Sequence, residues 1–395
     1  MVSNGRRNTS TLARSERMIP YGRQNVNQED IDSVIEVLES DYLTQGKMVN
    51  TFEDAICKKV SAKYAVAVNS ATSALHLACK ALELGPGDLA WTSAISFVAS
   101  ANCALYCGAD IDFIDIERET VNISVSELEQ KLQRCLDQSL PLPKVLIVVH
   151  MAGHSADMKG IKQLSEQYGF RIIEDASHAI GSRYLNESVG SCQFSDAAIF
   201  SFHPVKIITT GEGGVLTTNC ETIANTAKLL RSHGITRDNH DRNEGWYYEQ
   251  LQLGFNYRLT DIQAALGFSQ LKRLDEFVKK RQEKASYYIE QLSKLDLLLP
   301  NVNQLQSASW HLFIIQLKRH DRHSIFDCLR KKGIGVNVHY IPIYLQPYYR
   351  DKGFSSGYCP NAENYYSSAL SLPLYPDLTK ENQKYIIDVL KEVLQ

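Results

Sequence analysis

No stretch of this 395-residue chain approaches the ~20 consecutive apolar residues that a bilayer-spanning helix needs, so no membrane-crossing helix is expected. Charge of one sign is equally scarce. The formal net charge is −3, with acidic and basic residues dispersed, which argues against nucleic acid or an anionic membrane as partner. Nine cysteines are scattered from Cys57 to Cys359 without zinc-type pairing, and this pattern reads as reduced thiols in a cytoplasmic enzyme. Cys103 and Cys107 read as a packed pair on one helix face. His150 and His154 flank Met-Ala-Gly, which does not read as helix, and no further ligand is placed, so no metal site is expected. Gly211-Glu-Gly-Gly214 is followed by neither Lys-Ser nor Lys-Thr, which excludes a phosphate loop. No glycine fingerprint follows the first strand, which disfavours a dinucleotide-binding oxidoreductase. Internal repeats and low-complexity segments are absent as well.

What is present is the balance of a soluble globular protein, 44% hydrophobic and 22% charged, in a chain too long for one ordinary core. Residues 1–17 carry four arginines and a single acidic residue, Glu16, and are expected to be a disordered leader ahead of a second candidate start at Met18. From there, short apolar runs alternate with helical spacing. Tyr64–Val68, Leu89–Thr92, Asp110–Asp115, Val145–Val149, Arg171–Asp175 and Asp196–Phe200 read as strands, with helices between them. Such alternation predicts an α/β domain over 18–260 with a mixed, mostly parallel sheet. The pattern changes near Thr260. One long helix over 261–292, strands over 311–317 and 336–340, and a final helix over 380–394 predict a smaller α+β domain, 261–395.

The strongest chemical signal is Lys206 in Ser-Phe-His-Pro-Val-Lys-Ile-Ile-Thr-Thr-Gly-Glu-Gly-Gly, 201–214, just beyond a buried strand. A lysine held among apolar groups loses hydration, which lowers its pKa and leaves an amine able to attack a carbonyl. Asp175 closes the strand Arg171–Asp175 and is placed either to pair with a heterocyclic nitrogen or to cap a turn. Asn69-Ser-Ala-Thr-Ser73 opens a helix with small residues, which suits either an ordinary cap or a phosphate at the helix N-terminus. Ser201 offers a second phosphate contact. Phe97 reads as a cover for one face of a ring or as core.

Together, Asn-Ser-Ala-Thr-Ser-Ala-Leu (69–75), Glu-Asp-Ala-Ser-His-Ala-Ile-Gly (174–181), the Lys206 segment and Gly-Phe-Asn-Tyr-Arg-Leu-Thr-Asp-Ile-Gln-Ala-Ala-Leu-Gly (254–267) resemble the DegT/DnrJ/EryC1/StrS sugar aminotransferases. The resemblance runs from about Ile19 to the C-terminus. It implies a pyridoxal 5'-phosphate enzyme of the aspartate aminotransferase-like (type I) fold. Lys206 is then the Schiff-base lysine, Asp175 the partner of the pyridine nitrogen and His178 the neighbour of the ring hydroxyl, with Ala71, Thr72 and Ser201 on the phosphate. Asn256 would arrive from a second subunit, making a homodimer with shared sites. Tyr21, Asp41, Tyr42, Leu43, Thr44, Asn337, Val338, His339 and Tyr340 correspond to nucleotide-sugar contacts. Leu43–Gly46, Ile95–Asn102 and Asn337–Tyr344 are most similar to the pseudaminic acid branch, which implies amino transfer from L-glutamate to C4 of a UDP-linked 4-keto-6-deoxy-N-acetylhexosamine. Gly153–Met158 is nearer to the wider family pattern. Transfer to a TDP-linked sugar or to C3, or a catalytically silent sugar-binding dimer, are the alternatives.

Overall fold

The computed structural model describes residues 18–237 and 246–394. The expected leader, 1–17, lies outside them. Seven strands build the main sheet: β1 Tyr64–Val68, β2 Leu89–Ser93, β3 Asp110–Ile114, β4 Val145–Val149, β5 Arg171–Asp175, β6 Ala197–Ser201 and β7 Gly214–Thr218. Their spatial order is β1-β7-β6-β5-β4-β2-β3, and every neighbouring pair is parallel except the two that β7 makes. β4 reads Val-Leu-Ile-Val-Val and is buried at all five positions, as a parallel strand covered by helices on both faces must be.

A second sheet, β8 Leu297–Leu298, β9 Phe313–Leu317 and β10 Ala369–Leu372, is antiparallel. Its apolar cluster includes Trp310, Phe313, Tyr288 and Leu390. The main cluster reaches across to it, because Leu312, Ile314 and Ala369 belong to the same buried cluster as Val145, Ile147 and Ile173.

Among the helices are α1 Gln28–Leu38, α2 Ala71–Ala81, α3 Ala99–Tyr106, α4 Asp261–Lys272 and α5 Leu274–Leu292. α1 starts at a capping box, Asn27 with Asp30, and α4 at another, Thr260 with Gln263. Two expectations do not hold. The helix expected over 261–292 is two helices, broken at Arg273 (φ −102°, ψ 7°) where Ser269, Gln270 and Arg273 converge on Asp30. The strand expected over 336–340 is reduced to a single bridge, Asn337 to Ser371, because residues 337–340 leave the ladder to wall a cleft.

Asp30 is the buried anchor between α1 and α4. Its carboxylate accepts from Ser269 Oγ at 2.7 Å and Gln270 Nε2 at 2.6 Å, and pairs with the guanidinium of Arg273. Breaking such a buried pair leaves a desolvated charge, so Asp30→Ala is expected to cost about 3 kcal/mol. A fall in thermal midpoint relative to the parent protein checks this. An unchanged midpoint would show that the cluster adds nothing to stability.

Candidate functional site

Register alone collects the site along one edge of the main sheet. Val149 stands opposite Asp175, Ser201 opposite Gly214, and Gly214 opposite Val68, the residue before Asn69. The carboxyl ends of β4, β5 and β6 therefore meet the start of α2, the place where open α/β sheets bind ligands. Gly214 makes the approach of β7 to α2 possible. A Cβ there would lie 2.5 Å from the backbone of Ser70 and Ala71.

The Lys206 loop closes on itself. Phe202 N–H donates to Gly213 O, and Phe202 O accepts from Thr210 N–H at 3.0 Å and Thr209 Oγ1 at 2.9 Å. Lys206 N–H donates to His203 O, so the lysine leaves a tight turn toward the cleft. Lost hydration lowers its ammonium pKa from 10.5 to about 8, while the nearby Asp175 carboxylate acts in the opposite direction.

Asp175 is buried at the end of β5. Its Oδ2 accepts from Ser100 Oγ at 2.6 Å and its Oδ1 from Ser177 N–H at 3.2 Å. At the start of α2, Ser70 Oγ caps the N–H of Ser73, and Ala71 and Thr72 face the cleft. Ser201 and Phe97 complete this part of the wall, with the Phe97 ring exposed and 6.3 Å from that of Tyr340.

Three imidazoles stand close to Lys206. His178 Nδ1 accepts from Ala152 N–H at 3.3 Å, so its proton resides on Nε2, which lies 3.2 Å from Tyr340 Oη and donates to it. The His311 ring lies tilted against His178, with ring centroids 4.4 Å apart and 43° between their planes. Burial, then the neighbouring cations, hold both well below the usual histidine pKa. His339 donates from Nδ1 to Ser371 Oγ at 2.8 Å, because Asn337 Nδ2 faces its Nε2, and burial lowers its pKa to about 3. All three rings are neutral near pH 7.

The cleft so bounded has a volume of about 530 Å³. It offers a half-buried amine, a fixed carboxylate, a helix N-terminus flanked by hydroxyls and an exposed aromatic face. That set suits a phosphorylated heterocyclic aldehyde with room for a further ligand. Residues 24–391 match the DegT/DnrJ/EryC1/StrS aminotransferase family.

The chain belongs to that family. Among its relatives, the UDP-4-amino-4,6-dideoxy-N-acetyl-beta-L-altrosamine transaminase of Campylobacter jejuni serotype O:2 is 39% identical, over 96% of this chain and 98% of that protein. The spore coat polysaccharide biosynthesis protein SpsC of Bacillus subtilis is 36% identical over 97% and 99%. Of solved structures, Helicobacter pylori PseC, an aminotransferase involved in the biosynthesis of pseudaminic acid, superposes with a TM-score of 0.86 at 32% identity, covering 96% of this chain and 99% of that one. The Streptococcus pneumoniae sugar aminotransferase Spr1654, solved in its PLP form, gives 0.86 at 28% identity over 96% and 100%.

Most residues singled out in the sequence meet in this family member's cleft. Lys206, Asp175 and His178 lie at its floor, with Ala71, Thr72, Ser201 and Phe97 around them. Tyr21, Asn337, Val338, His339 and Tyr340 form the opposite wall. Five others are not brought there by a single chain. Asp41, Tyr42, Leu43 and Thr44 are exposed and tied to the start of α4, through Asp261 N–H to Leu43 O and a bridge from Thr44 to Thr260. Asn256 is exposed beside Asn69, whose Nδ2 donates to its carbonyl at 3.4 Å. Ser96, Ser100, Ser177 and His311 were not identified from the sequence. Ser100 and His311 meet their partners Asp175 and His178 only across long stretches of chain, which nothing near them announces.

The lowered pKa of Lys206 has a direct readout. In protein stripped of bound cofactor, reductive labelling of Lys206 by a small aldehyde, followed by peptide mass spectrometry, is expected to rise through a midpoint near pH 8, because the free amine appears as pH passes its pKa of about 8. A midpoint at the ordinary lysine value of 10.5 would remove burial as the cause.

Proposed function

We propose that this chain transfers an amino group from L-glutamate to C4 of a UDP-linked 4-keto-6-deoxy-N-acetylhexosamine, with pyridoxal 5'-phosphate as cofactor, in the assembly of pseudaminic acid or a related surface sugar. The observation that carries the reading is the convergence of Lys206, Asp175 and the start of α2 at one sheet edge in a member of this aminotransferase family. The name of the Campylobacter relative favours the C4 sugar, and that of the Helicobacter structure the pseudaminic acid pathway.

When bound, the cofactor supplies a carbonyl for amine exchange and an electron sink for the pair released when a C–H bond beside nitrogen breaks. This chain's residues do the rest. Asp175 would meet the ring nitrogen and keep it protonated. The amides of Ala71 and Thr72 and the hydroxyl of Ser201 would hold the phosphate, and Phe97 would cover a ring face. His178, neutral and with its proton on Nε2, would turn that donor from Tyr340 Oη to the ring hydroxyl oxygen. Lys206 Nζ, with a pKa of about 8, would carry a proton between the two carbons that flank the transferred nitrogen, acting as base and then acid. Over both halves, glutamate becomes 2-oxoglutarate and the sugar exchanges its C4 carbonyl oxygen for an amine.

We further infer a homodimer acting in the cytoplasm. Tyr42, Leu43 and Asn256 lie exposed, and Leu253, near Asn256, is 84% exposed, as expected of a surface that a second copy covers. Pairing would carry Asn256 and Asp41–Thr44 to the partner's cleft. Among the described residues no helix is long and apolar enough to cross a membrane.

Incubation of pure enzyme with glutamate and a panel of UDP- and TDP-linked 4-keto and 3-keto sugars tests the assignment. The expected product has nitrogen at C4 of the UDP sugar by mass and NMR. Amination at C3, or only of TDP sugars, would replace it. Lys206→Ala is expected to reduce turnover by at least about a thousandfold while retaining affinity for pyridoxamine phosphate. Undiminished turnover would take the lysine out of the mechanism.

A further inference from the structure

Ser100 lies on α3, fully buried, one turn beyond Ser96. Its Oγ is 2.6 Å from Asp175 Oδ2 and 2.7 Å from Ser96 Oγ. An ionised carboxylate only accepts, so the Ser100 proton points to Asp175 and its oxygen accepts from Ser96. Ser96 lines the cleft. The hydroxyls therefore run in one direction, from cleft wall to carboxylate. The other oxygen, Oδ1, is held from a different side, by the N–H of Ser177 in the turn after β5.

Two donors from separate elements do what one cannot. With Oδ1 alone anchored, the carboxylate is free to swing about its last side-chain bond, whose torsional wells are broad. A second bond to Oδ2 fixes its plane, and a charge-assisted hydrogen bond compensates for water lost on burial.

We propose that Ser100 is a positioning residue for the transfer reaction: through Oδ2 it sets the plane and sustains the charge that Asp175 presents to the cofactor's ring nitrogen, with Ser96 orienting the Ser100 hydroxyl. This role rests on the proposed aminotransferase activity.

The test is a mutant cycle read on cofactor affinity as well as rate. Cofactor-free Ser100→Ala is expected to bind pyridoxal 5'-phosphate about ten- to a hundredfold more weakly, as titrated by absorbance, with kcat of the glutamate half-reaction reduced more than KM is raised. Ser100→Thr, which keeps the hydroxyl, should recover most of both. In an Asp175→Ala background the same serine change should alter affinity by less than about twofold, since Ser100 then has no carboxylate to act through. Equal losses in both backgrounds would make Ser100 a packing residue and overturn the proposal. So would parental affinity and kcat in Ser100→Ala. If Ser100→Ala does not fold, Ser96→Ala takes its place: a loss of about three- to tenfold is expected, and an unchanged constant overturns the proposal. Parent protein that takes up no pyridoxal 5'-phosphate would sink the aminotransferase reading itself, a result distinct from either of these.

Discussion

Desolvation of one amine governs the arrangement of this molecule. Lys206 becomes a nucleophile near neutral pH only if its ammonium form is made costly, and that requires a loop that cannot open to water. Phe202 supplies the constraint. Its carbonyl takes two donors, from Thr209 and Thr210, and its N–H reaches Gly213, so the loop is knotted at its base. The same knot delivers the chain to Gly214, whose missing side chain lets β7 lie against Ser70 and Ala71. One closure thus places the amine and fixes the distance to the helix start proposed for the phosphate.

Around this amine the protein keeps other titrating groups silent. Three imidazoles surround Lys206, and each is buried enough to remain neutral. Positive histidines would raise the potential at Nζ and oppose protonation of the lysine in the acid role proposed for it. Neutral rings instead contribute directed hydrogen bonds: His178 to Tyr340, His339 to Ser371. Asp175 is then the nearby fixed charge, and it opposes part of the desolvation that lowers the lysine.

Much of this was legible in the sequence because short-range patterns carry it. Lys206 sits in a run whose glycines and threonines make a turn, and Asp175 ends a strand of apolar residues, so both could be placed without tertiary information. What could not be read depends on partners far along the chain. Ser100 meets Asp175 across 75 residues, and nothing in Ala-Ser-Ala-Asn says which carboxylate it will face. Residues 336–340 read as a strand from their local composition, but the consecutive residues 337–340 all line the cleft and only Asn337 keeps a bridge, to Ser371. The break at Arg273 is a backbone event that leaves helical side-chain spacing nearly intact on both sides, so periodicity ran straight through it. Asp41–Thr44 and Asn256 remain outside the cleft of one chain, and only the proposed pairing gives them a site.

The second sheet must hold its wall of the cleft in place, and a single buried cation does much of this. Arg281 on α5 is fully buried, and its guanidinium donates to the carbonyls of Trp310, His311 and Leu374. Burial lowers its pKa from 12.5 to about 9. Such a group is costly, since carbonyl dipoles compensate a guanidinium less well than a carboxylate does. The position is nevertheless useful. Leu374 N–H donates to Tyr21 O, which sets Tyr21 in the cleft wall, and His311 N–H donates to Ala152 O, beside the amide that fixes the tautomer of His178. From one side chain, therefore, hydrogen bonds lead to the wall proposed to face the sugar and to the imidazole of His178. An apolar residue at 281 would fill the same volume, but it would release three carbonyls on which both walls depend.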